Sequence, residues 1–323
     1  MQNQETLNPT LAKVLRAQQP SWSWNDCRRI IASGQVLVDG ECVRNPAARV
    51  HASSTVNLTK QPQKPIPRRD EEITELKIYH VDDHILVLEK PSGIETVPFE
   101  TKNNETTASK NSAPKTLLDQ ARKCLERKEG RLLPPLRVVH RLDKGTSGVM
   151  VFARSRLAER MLGSLFRAHD IRRSYLAVCL GKARSGTIRS SLVPDRGDGR
   201  RGSSTRRNAG CKIGKEAITH VRVLETKNIG PNRDLSLIEC RLETGRTHQI
   251  RIHLAEEGFP LAGESVYLSS TAFSDPIKDY SKAPRIALHA AELGFKHPVT
   301  GAELSWTSPL PLDLSTWYSI FRG

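Results

Sequence analysis

The sequence predicts an α+β protein. We expect a mixed, largely antiparallel sheet with flanking helices and a central cleft, preceded by a small N-terminal αα-hairpin module. Strand-like and helix-like segments mix from residue 76 onward without the strict βαβ alternation of a doubly wound sheet. A Pro-, Lys- and Arg-rich stretch separates this region from the N-terminal one. We therefore predict domains at 7–60 and 76–323, joined by a linker at 61–75.

The N-terminal module begins with two predicted helices. Apolar residues recur at helical spacing in the first, at Leu11, Val14 and Leu15. Asn25 or Asp26 is a suitable N-cap for a second helix that continues to about Ile31. The pattern therefore favours a pair of short helices at the start of the chain.

A hairpin is predicted after these helices. Apolar residues flank Asp39-Gly40, a dipeptide typical of type I′ turns. With Arg28 and Arg29 on the second helix, this pattern resembles the S4 RNA-binding module. The resemblance implies that the two arginines contact RNA. The alternative is a small αβ cap with a solvated arginine face.

The larger region has a mixed pattern of strands and helices. Strands are predicted on both sides of the Asp82-Asp83 turn, and helices over 117–129 and 157–168. Further strands are predicted at 149–153, 175–178, 235–243 and 286–291. Residues 101–115 are polar and rich in Ser, Thr, Asn and Lys, which predicts a mobile loop.

The charge of the chain points to a polyanionic partner. Fifty Lys and Arg residues against 35 Asp and Glu residues give a net charge of +15 in a chain of 323 residues. Such an excess favours a nucleic acid or an anionic membrane surface. No apolar run approaches the roughly 20 residues that a membrane-spanning helix needs. We therefore expect a soluble protein that binds nucleic acid.

The cysteines and the N-terminus indicate the compartment. The six cysteines are isolated, with no CxxC pair, so the sequence predicts reduced thiols and no zinc site. The first residues contain no apolar signal-peptide core. We expect a cytoplasmic protein that binds no metal.

A cationic segment spans residues 196–215. It carries seven cationic and one acidic side chain, interleaved with Gly, Ser and Asn, and such a composition predicts a solvated surface loop. A flexible arm of this kind can also lie along phosphates, where each contact releases counterions. Its candidate RNA-binding residues are Arg200, Arg201, Arg206 and Arg207.

The first chemical motif surrounds one carboxylate. Asp143 follows the basic pair His140-Arg141 and precedes a polar turn and the apolar run 149–153. A carboxylate at the start of a buried strand, kept ionised by nearby cations, is suited to act as a base or nucleophile. Taken alone, such an aspartate is more often a turn residue or a salt-bridge partner.

A second basic motif begins at the end of the 235–243 strand. Arg246 follows a glycine, which allows close approach of the backbone to a ligand. His248, Arg251 and His253 can read phosphate or can cap and pair; for His253 we favour the structural role. A helix that ends near Gly258 is predicted here.

Together these motifs resemble one family. The runs HRLDKGTSG at 140–148 and RLETGRTHQIRIH at 241–253, the Lys90-Pro91 turn and ALHA at 287–290 resemble the RluA-type pseudouridine synthases. The resemblance covers about residues 76–320 and implies an enzyme that isomerises uridine in RNA. One departure is the run Ile94–Pro98 with the polar insert after it, where the family often has an apolar pair and His-Pro.

The resemblance also implies roles for individual residues. Asp143 is implied as the catalytic aspartate, Arg246 as the arginine that pairs with it, and Tyr175 as the active-site tyrosine. Arg141 is implied to help displace the target base from its stack. The further substrate-binding candidates are His140, Thr146, Lys90, His248 and Arg251.

This chemistry requires no cofactor in principle. The base is detached from nitrogen and rejoined through carbon, so nothing is oxidised and no group is lost. The sequence contains neither a Gly-rich phosphate loop nor a metal-ligand cluster. Asp143 can add to the uracil ring, attack the sugar carbon or assist glycal formation, and the sequence does not choose among these routes. Tyr175 can cover the extruded base or remove a proton.

Two other functions fit parts of the pattern. A non-catalytic RNA-binding or ribosome-associated protein on the same scaffold would need a damaged centre, yet all four implied catalytic-site residues are present. An aspartate-dependent hydrolase of small molecules does not explain the charge of +15. For the leading hypothesis the target is ribosomal or transfer RNA, and nothing in the sequence demands more than a monomer.

Overall fold

The computed structural model describes residues 9–51, 53–59, 76–98, 116–196, 199–204, 214–270 and 276–321. Within these ranges the strands form two separate sheets, one of three strands and one of eleven. The predicted linker at 61–75, the polar segment 101–115, Arg206 and Arg207 lie outside the described residues. None of the described helices is long and apolar enough to span a membrane.

The small N-terminal unit is built as the sequence predicts, with two helices and a hairpin. Its elements are α1 (Leu11–Gln18), α2 (Trp24–Ala32), β1 (Val36–Val38), β2 (Glu41–Cys42) and β3 (Val56–Leu58). The strands pair antiparallel in the order β2-β1-β3. Asp39 and Gly40 both have positive φ, 51° and 86°, as a type I′ turn requires.

The start of α2 differs from the prediction. Its N-cap is Ser23, not Asn25 or Asp26. The Ser23 hydroxyl accepts from the Asp26 backbone N–H at 3.1 Å, while the Asp26 carboxylate accepts from the Ser23 N–H at 3.1 Å. This capping box satisfies two backbone donors at once, which neither predicted cap would do.

The second sheet contains the remaining strands. They are β4 (Ile78–Val81), β5 (Ile85–Lys90), β6 (Arg137–Val138), β7 (Ser147–Ala153), β8 (Arg172–Leu180), β9 (Gly186–Val193), β10 (Gly202–Ser203), β11 (Lys215–Gly230), β12 (Arg233–Leu242), β13 (Leu288–Lys296) and β14 (Glu303–Thr307). The main order is β10-β9-β11-β12-β8-β13-β7-β5-β4, with β14 on β13 and β6 on β7. Among the described strands, β13 and β7 alone pair in parallel, so the predicted mixed, largely antiparallel sheet is confirmed.

Helices cover this sheet on both sides. They are α3 (Leu117–Glu129), α4 (Arg156–Ala168), α5 (Gln249–Glu256) and α6 (Leu312–Ser319). The α3 bounds agree with the prediction, and α4 begins one residue earlier, where the Ser155 hydroxyl caps the Ala158 N–H.

Strand β7 is buried along its whole length. Met150 and Phe152 pack into the hydrophobic cluster that includes α3, whereas Val149, Val151 and Ala153 pack into the cluster that includes α4. Because successive side chains point to opposite faces of a strand, β7 joins the two layers. The polypeptide that enters β7 is thereby held between them, and this segment carries Asp143.

The parallel contact between β7 and β13 requires a glycine. Gly148 has φ 123°, and a Cβ at this position would lie 2.2 Å from the Ala290 carbonyl oxygen. A side chain would clash with the backbone of β13 and separate the two strands. Gly148 therefore permits the close approach of the strands directly behind the Asp143 segment.

The prediction of an exposed loop over 196–215 is wrong at both ends. Arg196 is 5% exposed, Gly202–Ser203 pairs with β9, and Lys215 begins a long strand. The composition of the segment did not predict these strands, because polar residues become strands here only by pairing with β9 in the folded protein.

Buried histidines predict a loss of stability at acidic pH. His253 is fully buried between Ser190 and Thr219, and burial lowers its pKa to about 4. An unfolded histidine titrates near 6.5, so below that pH the unfolded chain takes up a proton that the folded chain refuses. We expect His253→Gln to reduce the loss of unfolding free energy between pH 7 and pH 5 by about 1–2 kcal/mol.

Chemical denaturation at the two pH values tests this expectation. The control is His51→Gln, which changes an exposed histidine and should leave the pH dependence at its wild-type value. Equal losses of stability in His253→Gln and wild type would contradict the assignment.

Candidate active site

A cavity of about 510 Å³ opens beside the start of β7. Its walls are the segment 139–146, the end of α4, the start of β8 and the loop between β12 and α5. Eight of the nine residues predicted as catalytic or substrate-binding line it: His140, Arg141, Asp143, Thr146, Tyr175, Arg246, His248 and Arg251. The two motifs, far apart in sequence, thus form opposite walls of one cavity.

The segment with Asp143 is held by its backbone. The Thr96 hydroxyl donates to the Leu142 carbonyl at 2.9 Å, and the Thr146 N–H donates to the Asp143 carbonyl at 3.0 Å. The Asp143 side chain remains 22% exposed. Its carboxylate is therefore fixed in position but open to the cavity.

Lys90 has a different role from the predicted substrate contact. Its side chain is fully buried and is absent from the cavity lining. The ammonium donates to the carbonyls of Pro91, Lys144 and Thr146 at 3.0, 3.2 and 2.7 Å. Burial lowers the Lys90 pKa to about 7, an effect that the Asp143 charge opposes. Lys90 thus fixes the turn after Asp143 from behind.

The cation beside Asp143 is Arg251. Its Nη1 lies 3.6 Å from Asp143 Oδ2. The same guanidinium donates twice to Glu264, from Nε at 2.7 Å and from Nη2 at 2.8 Å. Burial alone would raise the pKa of Glu264, but hydrogen bonds and charge from Arg251 lower it. The three side chains form a chain of alternating charge that runs from the buried Glu264 to Asp143 at the cavity.

The prediction that Arg246 pairs with Asp143 is therefore wrong. Arg246 lines the cavity, but its Nε donates to the Glu216 carbonyl at 3.0 Å on neighbouring β11. Arg246 precedes α5, whereas Arg251 lies within the helix and reaches Asp143. Sequence order alone did not distinguish the two arginines.

His248 and His140 are neutral at neutral pH, so neither reads phosphate by charge. Burial lowers the pKa of His248 to about 4 and that of His140 to about 3. The His248 ring is hydrogen-bonded to the Tyr267 hydroxyl at 2.8 Å, and its Nε2 lies 3.8 Å from Asp143. The His140 Nε2 accepts from the Val151 N–H at 3.1 Å. Both line the cavity, and one ring nitrogen of each is already hydrogen-bonded within the protein.

Tyr175 lies deep in the cavity wall. The residue is 9% exposed and occupies β8. Burial raises the pKa of Tyr175, with Arg173 opposing and Asp143 adding to the shift. The hydroxyl is therefore protonated at neutral pH, which favours a ring that covers the base over a phenolate that removes a proton.

The predicted RNA-binding arginines have different environments. Arg29 pairs with Asp26 at 3.0 Å on exposed α2. Gly199 approaches the same helix, since a Cβ there would lie 3.4 Å from Arg28 Nη2. Arg201 contributes positive charge near His248.

Arg200 makes structural contacts within the protein instead of lying free for RNA as predicted. Its guanidinium donates to the carbonyls of Ala47 and Val266 at 3.1 and 2.6 Å. These bonds join the N-terminal unit to the region of the large sheet. They also use guanidinium N–H groups that were predicted to bind RNA.

Sequence reasoning missed residues that build the site. These are Glu264, Tyr267, Arg173 and Phe166. The one available signal for Glu264 was a lone carboxylate in the otherwise uncharged run 258–267. In the part of the chain that the structure describes, no group of three or more His, Cys, Asp or Glu could hold a metal ion.

Comparisons with known proteins agree with this architecture. The RNA pseudouridylate synthase family model matches residues 84–256, and the S4 domain model matches residues 10–56. Ribosomal large subunit pseudouridine synthase D of Nitrosomonas europaea is 34% identical over 98% of this chain and 84% of its own. The enzyme of that name from Pseudomonas aeruginosa is 34% identical over 90% of this chain and 85% of its own.

A solved structure shows the same fold. Human RNA Pseudouridylate Synthase Domain Containing 4 superposes with a TM-score of 0.56 at 22% identity, covering 75% of this chain and 92% of that one. The family model places the chain in the class of RNA-modifying enzymes, and among the described residues the cavity lining contains one acidic residue, Asp143. The chain belongs to the RNA pseudouridylate synthase family, with an S4 domain at its N-terminus.

Glu264 should be needed to hold Arg251. We expect Glu264→Gln to lower the rate of pseudouridine formation about 100-fold and to reduce the melting temperature, because Arg251 loses its bidentate partner inside the protein. Tritium release from uridine-labelled RNA and thermal unfolding measure the two effects. Glu216→Gln removes an exposed partner of Arg189 and should change neither. A fully active Glu264→Gln enzyme would show that Arg251 needs no such support.

Proposed function

We propose that this protein isomerises uridines of ribosomal RNA to pseudouridine through Asp143. The observation that carries the proposal is the carboxylate of Asp143, open to a cavity and 3.6 Å from a guanidinium that Glu264 anchors. The ribosomal target is supported by the printed names of the bacterial relatives. Transfer RNA is the alternative target, and the test below includes it.

The proposed chemistry begins with an ionised Asp143. Arg251 supplies positive charge to the carboxylate without occupying both oxygens at hydrogen-bond distance. One oxygen can then add to the uracil ring, attack the sugar carbon or accept a proton as a glycal forms. In each route the base detaches from nitrogen and rejoins through carbon, so no cofactor or metal takes part in the proposed reaction.

Substrate entry requires the uridine to leave its stack. Unstacking a nucleotide costs a few kcal/mol, which a protein side chain can offset by filling the space. Arg141 is exposed at the cavity and is suited to this role. The Tyr175 hydroxyl keeps its proton, so the uncharged ring offers a surface against which the extruded uracil can pack.

RNA affinity is proposed to come from both domains. We assign residues 7–60 to the S4-like domain and 76–323 to the catalytic domain, with 61–75 as linker. Arg28 and Arg29 on α2 and Arg201 near the cavity are proposed phosphate contacts. Arg206 and Arg207 are proposed as further contacts on the basis of sequence alone. We further propose that the protein is a cytoplasmic monomer.

A non-catalytic RNA-binding protein remains the competing function. It would retain the S4-like domain and the charge but would lack a working carboxylate. The intact ion chain from Asp143 to Glu264 favours the enzyme, because an unused buried arrangement of charges would be costly to maintain.

Replacement of Asp143 tests the enzyme directly. We expect Asp143→Asn to abolish turnover while RNA affinity stays within about threefold of wild type, because the amide cannot act as the nucleophile or base. Tritium release is measured on transcripts of large-subunit ribosomal RNA and on transfer RNA. Asp83→Asn, an exposed turn variant, is the control and should be fully active. Appreciable isomerisation by Asp143→Asn would refute the proposed role.

The S4-like domain is tested in the full-length chain. We expect the double variant Arg28→Gln, Arg29→Gln to weaken RNA binding and to reduce the slope of log K against log salt by about one to two units, because phosphate contacts are lost. The rate at saturating RNA should persist. Arg189→Gln with Lys296→Gln removes the same charge from exposed ion pairs elsewhere. An unchanged slope in the α2 variant, or an equal loss in this control, would exclude specific contacts by α2.

A further inference from the structure

Arg173 is a cavity residue to which neither the sequence motifs nor the proposed chemistry gives a role. It lies on β8 two positions before Tyr175, so both side chains point to the same face of the strand. Both line the cavity that contains Asp143. The Arg173 guanidinium therefore adds a positive charge to the cavity wall, in addition to the negative charge of Asp143.

The guanidinium of Arg173 is held in place by uncharged groups. Its Nη2 donates to the Glu243 carbonyl at 3.1 Å, and its Cζ lies 5.6 Å from the centre of the Phe166 ring. Nε is buried and has no hydrogen-bond partner among the described residues. Arginine has five N–H donors in a planar fork, so these contacts leave donor capacity unused.

Arg173 also differs from Arg251 in its charge balance. Arg251 faces two carboxylates, those of Asp143 and Glu264. Across the described ranges, no carboxylate lies within ion-pair distance of Arg173. Burial lowers the pKa of Arg173, because desolvation disfavours its charged form. An incoming anion would offset that penalty.

The surroundings favour an anion over a neutral ligand. Arg141 and Arg167 line the same cavity and likewise form no ion pair among the residues that are described. The acidic group of the cavity lining is Asp143, which already faces Arg251. The cavity as a whole therefore carries excess positive charge.

The opposite wall leaves space beside the guanidinium. Gly245 belongs to the loop between β12 and α5, and a Cβ there would lie 2.6 Å from Arg173 Nη1. Any larger residue would press on the flexible end of the arginine. The glycine thus allows Arg173 to extend along the cavity wall.

We propose that Arg173 binds a backbone phosphodiester of the RNA next to the uridine that enters the cavity. The phosphodiester is the anionic group that every nucleotide brings, and a guanidinium fork can bind two of its oxygens. This inference rests on the proposed function, since it assumes that RNA is the ligand of the cavity. Arg173 is thus a substrate-positioning residue, separate from the ion chain around Asp143.

The test compares Arg173→Gln with Arg189→Gln, a matched loss of one charge from an exposed ion pair. Single-turnover tritium release is measured on transcripts of large-subunit ribosomal RNA over a range of RNA and salt concentrations. For Arg173→Gln we expect half-saturation at about tenfold higher RNA. We also expect a salt slope reduced by about 0.7–0.9, with a saturating rate within about threefold of wild type. Arg189→Gln should match wild type.

Two further variants separate binding from folding. Arg173→Lys keeps the charge but loses the fork, so its salt slope should persist while its affinity falls less than that of Arg173→Gln. Gly245→Ala displaces the guanidinium without removing it and should weaken binding in the same direction. An unchanged half-saturation in Arg173→Gln would overturn the proposal. So would a lost saturating rate with normal binding, because the residue would then act in the chemistry.

The failure of the proposed function can be distinguished from the failure of this inference. RNA affinity is also measured in Asp143→Asn and in Asp143→Asn combined with Arg173→Gln, where no turnover is needed. If wild type forms no pseudouridine, the proposed function fails, and the affinity pair still reports on Arg173. Equal affinities and salt slopes in that pair would overturn the phosphate contact.

Discussion

The ion chain Asp143–Arg251–Glu264 is the constraint on which the site depends. Glu264 holds Arg251 through two short hydrogen bonds, of 2.7 and 2.8 Å, whereas Asp143 lies farther off, at 3.6 Å. This inequality matters because a carboxylate in tight bidentate contact would be occupied by its own partner. With the arginine anchored from the other side, Asp143 receives positive charge and its oxygens stay free to meet a substrate.

The sheet supplies the rigidity that this arrangement needs. Asp143 precedes a strand whose alternating side chains are packed into two hydrophobic clusters, and Gly148 allows that strand to lie against β13. Lys90 binds the carbonyls of the intervening turn from inside the protein. Burying an amine in this way is costly, and its three carbonyl acceptors compensate for the lost water. The segment that carries Asp143 is thus held without side chains that would fill the cavity.

The arginines of the cavity are charged, whereas its histidines and tyrosine are neutral. His140 and His248 are neutral because burial lowers the pKa of each, and Tyr175 keeps its proton because burial raises its pKa. The cations are arginines, whose charge is insensitive to pH in the neutral range. Positive charge at this site therefore comes from permanently charged groups, and the titratable rings provide shape and hydrogen bonds.

The sequence by itself determined the class of fold, the family, and eight residues that line the cavity, among them Asp143, Arg141 and Tyr175. It could do so because hydrophobic period, turn dipeptides and long local motifs depend on neighbours in the chain. The tertiary structure decided which cation meets Asp143, and it selected Arg251 instead of Arg246. It also turned Lys90 and Arg200 into structural contacts and brought Glu264 and Arg173 to the site. The physical reason is that such pairings depend on helix orientation and strand order, which bring together groups that no local pattern relates.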